Sequence, residues 1–251
     1  MSAARPALVA VVGLALLAVL GTGTAWGQGQ GFSLRGQGRD RDEDFRRADP
    51  AQVVAVELAF ARAAQEKGQW TAFAEYATDD AVMFVPQPVN AQTWLKGRAN
   101  PPQAVRWQPH RVWSSCDGSL AATKGAWQRP DGSVGYFTTV WQRQEKKKDG
   151  YRSVLDQGDV LAEPLAAPEM IEGTVADCPS AGSTGISESE LADLERKAVG
   201  DGAAEAGSGL SADRTLAYRY SVQPSGAREL VVLLFKDGRV QEAMRSEVAA
   251  Q

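Results

Sequence analysis

The segment WSSCDGSLAATKGAWQRPDGSVGYFTTVWQRQEKKKDGYRSVLDQGD, residues 113–159, decides the fold. Its Asp-Gly and Pro-Asp-Gly steps supply the residues with positive φ that tight hairpins need. The runs between these turns are rich in Thr, Val and aromatic residues, which are typical of strands. Residues 119–128, 133–143 and 151–159 are therefore predicted to form consecutive antiparallel strands of one sheet.

Helices are predicted before this sheet. Asp49-Pro50 offers an N-cap residue followed by proline at the first helical position. Apolar residues then recur at helical spacing until Lys67-Gly68, and a shorter helical pattern covers residues 70–76. Helices followed by a run of antiparallel strands indicate the α+β class. A curved sheet that packs against such helices can leave a cavity.

The first residues predict export. Arg5 is the only charge before an apolar run over residues 7–20, and small residues precede Gly27. This pattern is typical of a signal peptide (residues 1–27) that is cleaved near Gly27. An uncleaved anchor is the alternative, although the run is short for a membrane span. We therefore expect a periplasmic or secreted protein that has no membrane attachment after cleavage. Residues 28–48 are rich in Gly, Gln and charge, and are predicted to form a disordered leader.

The composition argues against several kinds of partner. The formal net charge is −4 and no basic stripe is present, so no nucleic-acid partner is expected. One histidine and two cysteines are too few for a histidine- or thiolate-built zinc site. No metal site and no cofactor are predicted.

Two segments carry a resemblance to a known family. They are Tyr-Ala-Thr-Asp-Asp-Ala-Val-Met-Phe-Val-Pro at residues 76–86, and the end of the predicted sheet, Thr-Val-Trp-Gln-Arg followed by Asp-Gly-Tyr-Arg-Ser-Val-Leu-Asp. Over residues 50 to about 160 the chain resembles the NTF2-like superfamily, and within it the SnoaL-like or DUF4440 branch. The resemblance implies a cone in which a curved antiparallel sheet wraps the N-terminal helices and often encloses an apolar pocket. Members include isomerases, cyclases, dehydratases and binding or assembly domains, so function stays open.

The resemblance also bears on catalysis. Steroid isomerases of the family have an aspartate base before the proline that closes the first strand, and Val85 stands at that place here. Valine cannot move a proton, so the prediction leans away from an enzyme. His110, the only histidine, is expected to be an ordinary surface residue of an edge strand. Asp156 is the candidate catalytic residue, because a carboxylate on the inner face of a sheet can act as a general acid or base; a structural carboxylate is the alternative.

Aromatic residues are predicted to line the pocket. The mature chain has a generous supply of tryptophans, which suit apolar ligands, although core packing explains them as well. Trp94 and Trp107 are expected to flank the pocket mouth, and pairing across adjacent strands is the alternative role for Trp127 and Trp141. The predicted ligand pocket consists of Tyr76, Trp94, Trp107, Trp127, Trp141 and Asp156.

Cys116 and Cys178 are expected to form a disulfide bond. Both lie in loop-like sequence, and an exported chain with two cysteines usually pairs them. Two free thiols are the alternative. No Cys-x-x-Cys spacing indicates redox catalysis, so the bond would be structural.

The chain is divided by composition into an NTF2-like domain (49–163), a linker with a possible short helix (164–209) and a C-terminal β-hairpin extension (210–251). An extension of this size is too small for a core of its own. It should pack on the first domain or on a partner, through Val231, Leu233 and Phe235.

Three functions remain open. The first is an exported protein that binds a small apolar molecule in the pocket. The second is an assembly or dimerisation module of an envelope complex, and a homodimer is expected. The third is an isomerase or lyase that uses Asp156 as its acid or base.

Overall fold

The computed structural model describes residues 48–144, 150–179 and 185–250. The signal peptide and nearly all of the leader predicted above lie outside these residues. The helices are α1 (Pro50–Lys67), α2 (Gln69–Tyr76), α3 (Ala91–Leu95) and α4 (Glu188–Gly200). The strands are β1 (Ala77–Phe84), β2 (Pro88–Asn90), β3 (Arg106–Ser114), β4 (Leu120–Gln128), β5 (Val134–Arg143), β6 (Tyr151–Leu161), β7 (Glu172–Val175), β8 (Glu205–Leu210), β9 (Leu216–Val222), β10 (Arg228–Lys236) and β11 (Arg239–Val248).

Helix α1 begins and ends where its sequence predicts. The Asp49 side chain accepts a hydrogen bond from the amide of Ala51 at 3.0 Å, and Pro50 is the first helical residue. Gly68 ends the helix with a φ of 98°, a conformation that favours glycine. The amide of Gly68 bonds back to the Ala64 carbonyl, so α2 can start at once in a new direction.

Seven strands form the first sheet, in the order β2-β1-β6-β5-β4-β3-β7. The hairpins β4–β5 and β5–β6 are antiparallel as predicted, and β3 pairs with β4 in the same way. The pairs β1–β6 and β3–β7 are parallel, which the hairpin signals did not predict. Register shifts place one extra residue in β3, His110, and one in β6, Val154; such bulges bend strands. The predicted α+β fold, a curved sheet packed on N-terminal helices, is confirmed.

Four strands form the second sheet, in the order β11-β10-β9-β8. It packs on the face of the first sheet that is opposite α1 and α2. Leu230, Val232 and Leu234 share a core there with Val140 and Leu155. The predicted docking face on Val231, Leu233 and Phe235 is therefore wrong, since Leu233 packs instead beside Ile186 and Leu191 at α4.

Strand β8 lies in a segment that composition assigned to the linker. Its glycines explain the difference. A Cβ at Gly207 would overlap the ring of Tyr220, and a Cβ at Gly209 would overlap the ring of Tyr218. The two glycines therefore make room for tyrosines of the neighbouring strand, and a composition typical of a linker serves a strand.

The predicted disulfide bond between Cys116 and Cys178 is confirmed. Their Cα atoms are 5.1 Å apart, and the bond joins the turn after β3 to the segment after β7. Beside it the amide of Asp177 bonds to the carbonyl of Phe235 in the second sheet. The bond therefore fastens the segment that leads from one sheet to the other. Within the described residues, no helix is both long and apolar enough to cross a membrane.

Candidate functional site

A cavity of about 500 Å³ lies between α1, α2 and the concave side of the first sheet. Seven aromatic side chains line it: Phe60, Trp70, Phe73, Phe84, Trp107, Trp127 and Phe137. Seven polar or charged side chains face the same space, among them Asp156 and Thr139 on the sheet and Arg228 from the second sheet. A mainly apolar wall that also carries polar groups is typical of small-molecule sites.

Asp156 faces the cavity from the middle of β6. Its cross-strand neighbour on β5 is Thr139, whose hydroxyl donates to the Asp156 Oδ2 at 2.7 Å. Burial raises the pKa of Asp156 to about 7; the Thr139 hydrogen bond lowers it, and the nearby Glu57 adds to the rise. A carboxyl group with a pKa near neutrality can both donate and accept a proton at physiological pH.

Glu57, which sequence reasoning missed, is completely buried behind this wall. Its Oε1 accepts from the Trp107 indole at 2.8 Å, and its Oε2 accepts from the Thr123 hydroxyl at 2.6 Å and the Trp141 indole at 3.0 Å. Burial raises the pKa of Glu57, while these three hydrogen bonds lower it. The signal was present in the sequence, because Glu57 follows Val53 by four residues and so lies on the apolar face of α1.

Trp107 and Trp127 both line the cavity and are direct cross-strand partners on β3 and β4. The Trp127 indole donates to the carbonyl of Tyr136 at 2.8 Å. A Cβ at Gly135 would overlap the Trp127 ring, so this glycine on β5 is what allows the indole to lie against the sheet. Trp107 is held in turn by Glu57. The orientation of both rings is thus fixed from behind the cavity wall.

Three of the six residues predicted to line the pocket lie elsewhere. Tyr76 stacks on Phe60 at 5.0 Å between ring centroids, on the side away from the cavity lining. Trp94, a residue of α3, packs against Trp70 at 5.1 Å between ring centroids. Trp141 is completely buried with Glu57 and stands opposite Ala121, so it does not pair with Trp127. Trp107, Trp127 and Asp156 are brought together on the cavity wall, and their binding of a ligand stays a prediction.

Val85 and His110 have different outcomes. Val85 lines the cavity, so an apolar side chain occupies the place that the resemblance gives to the isomerase base. His110 is only 6% exposed, and the expectation of a surface histidine is wrong. It sits at the bulge in β3, away from the cavity lining, and burial lowers its pKa. No cluster of three or more metal-ligating side chains occurs in the part of the chain that the structure describes.

Comparisons with known proteins give structural neighbours only. No protein-family model matches the chain, and no curated protein matches it. A proposed ketosteroid isomerase from Parabacteroides distasonis matches 47% of this chain and 97% of its own, with 12% identity and a TM-score of 0.36. The CaMKII hub of S. rosetta matches 45% and 98%, with 18% identity and a TM-score of 0.35. An NTF2-like protein of unknown function from Mesorhizobium loti matches 46% and 96%, with 17% identity and a TM-score of 0.29. No activity is transferred from these neighbours, and the SnoaL-like or DUF4440 assignment stays a prediction.

Proposed function

We propose that this chain, whose N-terminal helices and first sheet have an NTF2-like fold, binds a small apolar molecule in the cavity described above. The observation that carries the proposal is the lining itself. The cavity is large enough for a small ligand, and apolar side chains, seven of them aromatic, form most of its wall. Two of the tryptophans are fixed at the wall, because the Trp107 indole is bonded to Glu57 of α1 and the Trp127 indole to the backbone of β5.

Export to the periplasm or the exterior is part of the proposal. It is supported by the charge and apolar pattern of residues 1–27 and by the disulfide bond, which persists in oxidising compartments. Native mass spectrometry of protein purified from the exported fraction without reductant would read the cleavage site and any retained ligand together. We expect a mature chain that begins near residue 28; a full-length mass would contradict cleavage, and absence of the protein from the exported fraction would contradict export.

Binding is tested with a neutral apolar fluorophore, N-phenyl-1-naphthylamine. We expect its emission to rise on titration with the protein and to saturate. Val85→Phe places a ring inside the cavity and should abolish this rise. Val240→Phe adds the same ring at a position that is 41% exposed, and should leave the rise unchanged. Equal behaviour of the two variants, or no saturable rise with the wild-type protein, would refute the proposal.

A second candidate function is proton transfer, as in an isomerase or lyase. Asp156 favours it, since its pKa of about 7 suits a general base that faces an apolar cavity. In such a step the Asp156 carboxylate takes the proton α to a carbonyl, and the C–H electron pair moves into the enolate. NMR in deuterated water would detect α-deuteration of 2-tetralone above the rate without protein. If the excess rate survives in Asp156→Asn, this candidate is excluded.

Assembly through a homodimer stays a prediction, with one restriction. The face of the first sheet that is opposite the helices already carries the second sheet of the same chain. A dimer that used this face would first have to displace the strands β9 and β10, whose leucines and valines are buried there. We therefore place any dimer contact elsewhere on the chain.

A further inference from the structure

Arg228 is a charged residue in the wall of an apolar cavity, and it comes from the second sheet. It begins strand β10 and is only 7% exposed. Its Nη2 donates to the carbonyl of Gly158 at 2.7 Å, its Nη1 to the carbonyl of Pro86 at 3.3 Å, and its Nε to the Gln157 side chain at 3.4 Å. The guanidinium also lies 5.3 Å from the centre of the Phe84 ring.

All the hydrogen-bond acceptors around Arg228 are neutral. Among the described residues, no carboxylate lies within 4.0 Å of its nitrogens. Asp159 favours the charged form from farther away, whereas burial lowers the pKa of Arg228. A buried charge is costly unless it is paired, and a guanidinium has more N–H donors than these three contacts use. The cavity wall therefore contains a cation that has donor capacity to spare and no carboxylate in contact with it, although Asp156 and Asp159 line the same cavity.

A carboxylate is the anion that a guanidinium fits best, since the planar fork can donate two parallel hydrogen bonds to it. The surrounding wall fits the rest of such a molecule, because Phe84 and Phe137 line the same space as Arg228. Asp156 opposes an anion only in its ionised form, and its pKa of about 7 keeps it largely protonated in mildly acidic solution. A second cation also favours an anionic ligand: exposed Arg129 lines the cavity, and its guanidinium lies 4.7 Å from the centre of the Trp127 ring.

We propose that the cavity takes an apolar molecule that carries a carboxylate group, and that the guanidinium of Arg228 binds this carboxylate. The inference rests on the proposed binding function and names the class of its ligand. It also gives the second sheet a role in ligand recognition, because Arg228 belongs to β10 and no strand of the first sheet contributes a Lys or Arg to the cavity lining.

Two probes of equal shape test the inference: 2-naphthoate, which is an anion, and 2-naphthylmethanol, which is neutral. Calorimetric titrations at about pH 6 measure the dissociation constants of the two probes. A charge-assisted hydrogen bond is worth about 1.5–3 kcal/mol, which corresponds to a preference of about 10- to 150-fold for the naphthoate. Equal affinity for the two probes refutes the inference while leaving the proposed function intact. If neither probe binds, both fail.

Variants then locate the preference. Arg228→Met should reduce naphthoate binding to the level of the alcohol and leave the alcohol unchanged. Arg239→Met, on the same sheet but exposed, is the matched control and should keep the full preference. If Arg228→Met does not fold, Arg228→Lys retains the charge without the planar fork and should lose part of the preference. A preference that persists undiminished in a folded Arg228 variant overturns the assignment, and the wild-type comparison decides the ligand class even when no variant folds.

Discussion

Replacing Asp156 by Asn should change how the stability of the protein depends on pH. The pKa of this carboxyl is raised from 3.8 to about 7 in the folded protein, mainly by burial. Between these values the folded state keeps a proton that the unfolded state has released, so the free energy of unfolding falls as pH rises. From pH 4.5 to pH 7 the fall is about 3 kcal/mol, at about 1.36 kcal/mol per pKa unit. The asparagine side chain does not ionise, so the variant escapes this loss.

Urea unfolding of the oxidised protein at pH 4.5 and at pH 8 measures the effect. We expect the stability of Asp156→Asn relative to the wild type to increase by about 3 kcal/mol between the two conditions. Asp159→Asn removes a carboxyl group from the same strand at the cavity rim and should keep the fall seen in the wild type. If Asp156→Asn and the wild type lose stability in parallel, Asp156 is not held protonated by its surroundings and the reasoning fails.

Three further substitutions probe the supports of the site. Glu57→Gln removes a negative charge that raises the pKa of Asp156, and we expect carboxyl carbon NMR to show that this pKa falls. The substitution also replaces one of the two carboxylate oxygens that accept hydrogen bonds from Trp107, Thr123 and Trp141, so it should cost about 1–3 kcal/mol in stability. An unchanged pKa would contradict this. Cys178→Ala opens a link across 62 residues and should cost about 4 kcal/mol, whereas labelling of thiols in the unreduced wild type would disprove the bond. Gly135→Ala drives a methyl group into the Trp127 indole and should lower both Tm and fluorophore binding, while Gly200→Ala, at the end of α4, meets no atom within 4 Å and should lower neither.

Local signals predicted the elements that depend on neighbouring residues. Short stretches of sequence predicted the N-cap at Asp49, the end of α1 at Gly68 and the hairpins of the first sheet. The structure has these features at the predicted places. Asp156 was found because alternation along a strand identifies its face. The position of Trp107 on the cavity wall was predicted as well, although the residue that holds it was not.

The features that sequence reasoning missed depend on distant partners. Glu57 is stabilised by side chains 50, 66 and 84 positions away, so nothing near it in the sequence shows that a charge on the apolar face of α1 is satisfied. The parallel pairing of β1 with β6 joins equally distant segments. Tyr76 and Trp94 are residue types that often line pockets, and only the packing of α2 and α3 shows that they belong to the core instead.

Because Arg228 lies in β10, binding of a carboxylate ligand depends on a late part of the chain. This residue follows Asp156 by 72 positions (228 − 156), and it reaches the cavity only when β9 and β10 are in place on the first sheet. During synthesis, the segment that carries Asp156 is therefore complete before Arg228 has been made. A carboxylate ligand that binds Arg228 would in turn stabilise the second sheet by mass action. Occupancy would then report that the whole polypeptide, down to its last strands, has folded.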